Sequence, residues 1–349
     1  MFRPIHLFTI LSISFGAFTG HADPLDLAKC RLGALTDATP LAAYDEADRL
    51  FPIVNELRDT IPGENDAQAQ RNLYTHLLEA VKKNEPVRMV LVGFPFKAPN
   101  PRTRVLGELP DLAEELAVKR LADLSNQVAK IYSPGADFVI ASDGRAYVWP
   151  EKEPMTDEGV TSYLDEMKRL AAKYSPHLHV VSLENFYPSG TPFSQMRNEL
   201  LSHYARSDEA LMNAVKTDPE RNRTFGGLTR FFAFDRIKRT GQSNHAFKRE
   251  NQELALEDMK RSEAFAKLVA EKYPDYIRFS VHPHPESTEK LGTKNLVTGQ
   301  TGPGTPWYNV AVQKKDGTVV LMKRKEAEDL GYRLVERNGR PYYFEEPKN

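Results

Sequence analysis

Cysteine is almost missing from this chain: among 349 residues only Cys30 is present, which excludes an internal disulfide and a cysteine-built metal cluster. An excess of one charge is missing too. The 47 basic residues face 48 acidic ones, so the overall field does not suit a protein that coats nucleic acid, and any anion must be held by a local cluster. Repeats, low-complexity tracts and heptad runs are absent, which argues against solenoids and coiled coils. Long hydrophobic runs are scarce as well. The apolar stretch Leu7 to Phe18 is too short to span a bilayer comfortably, and with Arg3 before it and Gly20-His21-Ala22 after it, residues 1–22 read as a secretory signal peptide. Its removal implies an exported or periplasmic protein with no further membrane contact, and a single domain over residues 23–349. An uncleaved chain stays in the cytoplasm. A lone cysteine is compatible with export, because a chain of this length buries a core that needs no disulfide.

What is present concentrates between Arg88 and Trp149. The apolar run Met89 to Val92 predicts a strand, broken at Gly93 by a loop that holds Pro95, Pro99 and Pro101, with Lys97, Asn100, Arg102 and Arg104 between them. A strand that runs into a stiff basic loop suits an anion. Pro110 takes a first helical position, Asp111, Glu114 and Glu115 fill the first turn, and Leu112, Leu116, Leu121, Leu124, Val128 and Ile131 recur at helical spacing. Tyr132 to Gly135 stops this helix, Asp137 to Ala141 reads as a second strand, and Asp143-Gly144 predicts a tight turn towards Arg145 to Trp149.

Two amphipathic helices are expected between Leu41 and Lys83, separated by Pro62-Gly63. Asp157 to Tyr174 reads as a helix and His179 to Leu183 as a short strand. Gln195 to Lys272 has the composition of a charged helical insert, about 195–272, with breaks at Asp218-Pro219 and Gly226-Gly227. Tyr276 to Val281 returns to strand, and Asp316-Gly317 and Asn338-Gly339 signal hairpins around a short helix, Lys323 to Leu330. The expected class is therefore α/β: a Rossmann-like, mostly parallel sheet covered by helices, with a helical insert and an antiparallel C-terminal part.

Each candidate residue has an ordinary reading beside a functional one. Lys97 suits phosphate as a point charge, or a carbonyl once desolvated, yet most loop lysines are solvated charges. Arg102 and Arg104 suit bidentate phosphate contacts; Asn100 suits a ligand or a turn cap. Asp143 is a hairpin residue or a site residue just past a strand end, with Ser142 beside it. Asp111 and Glu114 share a helix face, as first-turn acids or as an acid–base pair. In His282-Pro-His284 both imidazoles fall on one side of an extended chain, but a third ligand with obvious spacing is missing, so proton transfer by His282 is favoured over a metal. Arg278, on the strand leading there, suits a carboxylate, and Trp307 suits a core position or a substrate contact.

The strings GFPFKAPNPRTRVLGELPDLAEELAVKRL and IYSPGADFVIASDGRAY, then YIRFSVHPHPESTEKLG, TPW and LVERNGRPYYF, resemble the isonitrile synthases of the pyoverdine and dityrosine biosynthesis family. The resemblance runs from Arg88 to Phe344. It implies an enzyme that joins the amino group of tyrosine or tryptophan to the ketone of ribulose 5-phosphate and fragments the adduct to an isonitrile, with no metal or redox cofactor. An iron and 2-oxoglutarate oxygenase is the implied pathway partner. For that reaction Lys97, Glu114, Asp143 and His282 are the expected catalytic residues, and Asn100, Arg102, Arg104, Ser142, Arg278 and Trp307 the expected substrate contacts. Two positions depart from the family pattern: Arg104 stands where lysine is common, and Tyr308 where histidine is usual. A binding protein for a phosphorylated or carboxylated small molecule, and a sugar-directed transferase with a metal on Asp143, are the alternatives.

Overall fold

The apolar run after Pro86 becomes the central strand of a parallel sheet. A computed structural model describes residues 39–59, 66–97, 100, 102–148, 155–240, 247–281, 290–293, 296–297 and 304–347, with no side-chain description over 235–240. The expected signal segment, Cys30, the Pro62-Gly63 break, and His282 and His284 lie outside the described residues.

Strand β1 (Val87–Val92) pairs in parallel with β2 (Ala136–Ala141) and β4 (Ile277–Ser280); β3 (Leu178–Val181) and β5 (Lys290–Gly292) complete the order β3-β2-β1-β4-β5. Strand side chains alternate, so Met89 and Leu91 enter one hydrophobic cluster and Val90 the other. Helices α1 (Leu41–Asn55), α2 (Ala67–Lys83), α3 (Leu112–Ile131) and α5 (Asp157–Tyr174) cover the first face through residues such as Phe51, Tyr74, Leu121 and Met167. Helices α6 (Phe193–Tyr204) and α9 (Lys248–Lys272) cover the second through Met196, Leu200, Phe265 and Leu268. Burial on both faces is why β1 reads as a continuous apolar run.

Helix α3 begins two residues later than Pro110 suggested, at Leu112. Asp111 is its N-cap and accepts from the Ala113 amide at 2.9 Å, while Glu114 accepts from the Asp111 amide at 3.0 Å, a closed capping box. Between α6 and α9 lie α7 (Asp208–Thr217) and α8 (Pro219–Thr240). Asp218-Pro219 does break the insert, with Asp218 accepting from the Glu220 amide, but α8 runs straight through Gly226-Gly227. Phe225 and Leu228 on either side of the glycines pack on Leu211, Val215 and Met259, and that burial outweighs the roughly 1 kcal/mol helix penalty of each glycine.

The C-terminal part forms a second sheet, ordered β7-β6-β9-β8, from β6 (Val310–Gln313), β7 (Val319–Met322), β8 (Arg333–Arg337) and β9 (Arg340–Glu345), with helix α10 (Arg324–Asp329) between β7 and β8. Both expected hairpins form. Asn338 and Gly339 have φ of 53° and 72°, the positive pair that a tight two-residue hairpin requires. The sheet is mixed and not antiparallel throughout, because β6 pairs in parallel with β9. Among the described residues no helix is long and apolar enough to cross a membrane.

Candidate active site

The strand order reverses direction between β1 and β4, and open α/β sheets collect ligands beyond the strand ends at such a point. The chain leaving β1 is pinned there from two sides. A Cβ on Gly93 would stand 3.1 Å from Cη2 of Trp307, and the Phe94 ring lies 5.0 Å from the Trp307 ring. Phe94 adopts φ of 56°, and its carbonyl accepts from the buried Ser142 hydroxyl at 2.8 Å.

Asp143-Gly144 is not a hairpin. Gly144–Tyr147 forms a one-turn helix, α4, whose first residues are buried. A Cβ at position 144 would lie 1.8 Å from the Pro95 carbonyl oxygen, so glycine is required by the crossing loop and not by a positive φ. Arg145, expected on a strand, is buried and donates to the Asp157 carbonyl at 2.6 Å and to the Thr161 hydroxyl at 2.9 Å, with its guanidinium over the Phe193 ring.

Lys97 is no surface charge. It is 1 % exposed and its Nζ lies 2.9 Å from Asp111 Oδ2 and 2.7 Å from Glu114 Oε2, and it donates to the Pro306 carbonyl at 3.1 Å. The same two acids that cap α3 therefore hold a lysine from the basic loop, and the lysine anchors the 306–308 turn. Burial pulls the Lys97 pKa down, but the charges of Asp111 and Glu114 outweigh it and the net direction is up. Burial lifts Glu114 to about 7 against the pull of Lys97. The Tyr163 hydroxyl donates to Glu114 Oε1 at 3.4 Å, and burial together with the charges of Glu114, Asp111 and Asp143 holds its phenol neutral.

Asp143 sits beyond the end of β2, buried, and its Oδ1 has no hydrogen-bond partner among the described residues. Burial raises its pKa to about 6 against a hydrogen bond from Tyr147. Burial also pushes the Tyr147 phenol well above its ordinary value, reinforced by Asp143 and Asp258, and Ser262 on α9 is a further hydrogen-bond partner. Tyr308 is close enough to add to that shift, and its ring packs on Trp307 at 6.2 Å and on Phe231 of α8 at 5.2 Å.

The remaining nominees divide. Asn100 is buried and its side chain accepts from the Thr103 amide at 3.1 Å, so it shapes the loop. Arg102 is exposed. Arg104 lies in the same turn, its guanidinium 4.5 Å from the Phe231 ring and 5.5 Å from the Phe234 ring, while its carbonyl accepts from the Arg324 amide at the start of α10. Trp307 is buried against Gly93 and Phe94 and serves the core. Arg278 lies within β4, in register with Lys290, and the Lys290 pKa is lowered by burial and then by the Arg278 charge. The structure thus pairs Lys97 with Glu114 at the 306–308 turn, sets Asp143 against Tyr147 and Arg104 against Phe231, and leaves Arg278 within the sheet. Tyr147, Tyr163 and Phe231 were not nominated from sequence. Tyr147 follows Asp143 by four residues, a helical spacing hidden by the expectation of a strand. Among the described residues no three His, Cys, Asp or Glu side chains meet as metal ligands.

Comparison with known proteins finds that residues 77–335 match the family described as pyoverdine/dityrosine biosynthesis protein. The chain is 37 % identical over 273 residues to L-tryptophan isonitrile synthase AmbI2 of Fischerella ambigua, covering 76 % of this chain and 79 % of the relative. It is 33 % identical over 272 residues to the L-tyrosine isonitrile synthase of Pseudomonas aeruginosa, covering 76 % and 81 %. The crystal structure of the PvcA protein from Pseudomonas aeruginosa superposes with a TM-score of 0.77 at 28 % identity, over 86 % of this chain and 99 % of that one.

Proposed function

The chain belongs to the pyoverdine/dityrosine biosynthesis family, and from that premise we propose that it is an isonitrile synthase, joining the amino group of tyrosine or tryptophan to the ketone of ribulose 5-phosphate. The observation that carries the reading to this chain is Asp143: a buried carboxylate beyond a parallel strand end, with one oxygen that has no hydrogen-bond partner among the described residues and a pKa raised by burial to about 6. Such a group is ionised at neutral pH yet basic enough to accept a proton.

An amino acid attacks a ketone only as the free amine, so its ammonium must first lose a proton, and Asp143 Oδ1 is the acceptor in this reading. Attack makes the C–N bond while the ketone oxygen takes up a proton, and water then leaves to give the imine; both C–C bonds at the former ketone carbon then break, the terminal carbon leaving as a one-carbon aldehyde that gives up its bonding pair and a proton, and the three-carbon phosphate leaving with its bonding pair and taking up a proton, so that the former ketone carbon stays as the isonitrile. Arg102 and Arg104 are proposed to hold the phosphate, Arg104 with its guanidinium already oriented by Phe231. Lys97 pairs with Glu114 and donates to the Pro306 carbonyl, so the proposed role of the pair is to position Tyr308 and not to touch the phosphate. Proton transfer by His282 and a carboxylate contact from Arg278 stay proposals of the sequence. This route calls for no metal or redox cofactor, and its product suits an iron and 2-oxoglutarate oxygenase as the next step.

The test incubates the full chain with tyrosine or tryptophan and ribulose 5-phosphate carrying a heavy carbon at the ketone, followed by mass spectrometry. Labelled isonitrile is expected, with a loss of about 100-fold or more in Asp143→Asn, the usual scale for removing a positioned base. A folded protein that consumes no amino acid rules the reading out.

A further inference from the structure

Helix α8 of the insert carries the run Phe231-Phe232-Ala233-Phe234. Its packing residues are Phe225 and Leu228, which meet Leu211, Val215 and Met259. Among the described residues, Phe231, Phe232 and Phe234 join none of the hydrophobic clusters, and Phe231 packs edge-on to Phe232 at 5.4 Å. Adjacent large apolar rings on one helix mark a surface with a use beyond the local core.

Phe231 has one. Its ring lies 5.2 Å from Tyr308 and 4.5 Å from the Arg104 guanidinium, and Tyr308 continues to Trp307 and, through the turn held by Lys97, to the carboxylate centre. The Tyr147 phenol hydrogen-bonds Asp143 and lies near enough to Tyr308 to be influenced by it, and the Phe96 ring lies edge-on to Tyr147 at 6.4 Å. A series of aromatic rings thus runs from Phe231 of a remote helix through Tyr308 towards Tyr147 and the acid proposed to deprotonate the amine. Aromatic surfaces recognise flat aromatic side chains through offset and edge contacts that an aliphatic side chain cannot reproduce.

We propose that Phe231, with Tyr308, forms the wall against which the aromatic side chain of the amino-acid substrate packs, so that the helical insert sets amino-acid specificity. The inference rests on the isonitrile-synthase reading for its substrate class and adds the residue that selects within it. Because it concerns preference, its readout is a ratio of affinities, which partial unfolding of a variant does not move.

The experiment is calorimetric titration of the full chain with tryptophan, tyrosine and leucine, in wild type, Phe231→Ala, Phe231→Leu and Phe234→Ala. The wild type is expected to favour the aromatic amino acids over leucine. Phe231→Ala is expected to lower that preference about tenfold, the size of a missing hydrophobic contact in a pocket. Phe231→Leu keeps apolar volume without the ring and is expected to fall between. Phe234→Ala, whose ring is 39 % exposed, should keep the wild-type ratio. A preference unchanged within about twofold in both Phe231 variants overturns the inference, as does a wild type that binds leucine as tightly as tryptophan. Binding without labelled isonitrile in the product assay overturns the reaction and leaves the ratio to decide the wall.

Discussion

Lys97 and its two acids form a unit whose members cannot be removed singly. Their side chains are 0–1 % exposed, and each carboxylate also accepts a backbone amide of the α3 cap. Lys97→Ala leaves Asp111 and Glu114 buried together without the cation, a change expected to cost about 3–5 kcal/mol of folding stability. Lys97→Met with Glu114→Gln removes one charge of each sign and keeps volume, so it should cost clearly less. Denaturant unfolding of wild type and both variants checks this; equal losses in the two would mean that the pair does not behave as a coupled unit. The consequence for function is direct. An inactive Lys97→Ala protein is expected on stability grounds alone, whereas Asp143, with its open oxygen, is where a substitution reports on chemistry. Sequence nominated Lys97 for a phosphate or a carbonyl, and Asp111, Glu114 and Asp143 for either a structural place or proton transfer. That the first three pair with one another was not legible, since nothing local in a proline-rich loop says that its lysine turns inward to a helix start.

At the scale of elements, the crossing of the β1 loop over α4 decides the site. Gly144→Ala adds a Cβ where the Pro95 carbonyl oxygen already stands, 1.8 Å away, and a backbone carbonyl cannot swing aside as a side chain can. Overpacking of this kind costs roughly 1–3 kcal/mol, and the required shift moves either Asp143 or the loop that carries Lys97. Gly144→Ala is therefore expected to lower the thermal midpoint by a few degrees and to reduce product formation more than the fraction unfolded explains. Full activity per folded molecule would show that the crossing does not position Asp143. Sequence pattern made most elements readable: the apolar run of β1 and the helical spacing of α3 and α5 fall where expected. Asp143-Gly144 was misread because its glycine answers to a carbonyl nearly 50 residues earlier, and the Gly226-Gly227 break because packing by Phe225 and Leu228 overrides a local penalty. The parallel pairing of β6 with β9 was hidden for the same reason, being fixed by tertiary contacts and not by either hairpin.

Across the whole molecule, one carboxylate fastens the two sheets. Glu115, in the first turn of α3, receives Lys173 at 2.5 Å and Tyr174 from the α5 end, and Arg337 at 2.8 Å and Tyr342 from the C-terminal sheet. The C-terminal sheet in turn holds the basic loop, because the Arg324 and Lys325 amides of α10 donate to the Arg104 and Thr103 carbonyls. Burial alone would raise the Glu115 pKa; the hydrogen bonds from Lys173, Tyr174 and Tyr342 outweigh it and hold the group at about 2, below an ordinary value of 4.5. A depressed carboxylate stabilises the fold while it is ionised, so the contribution is complete above about pH 4.5 and fades as pH falls towards 2. Lys173 and Arg337 are themselves 41 % and 51 % exposed and screened by solvent, which brings the contribution to roughly 2 kcal/mol. Glu115→Gln keeps the shape and loses the charge. Its unfolding midpoint is expected to fall by a few degrees at pH 7, and the gap from wild type to narrow steadily below pH 4.5. Paired melts at pH 7, 4 and 3 decide it: a gap that stays constant across that range would place the stabilisation in packing and not in the charge that ties the parallel sheet to the sheet that braces its basic loop.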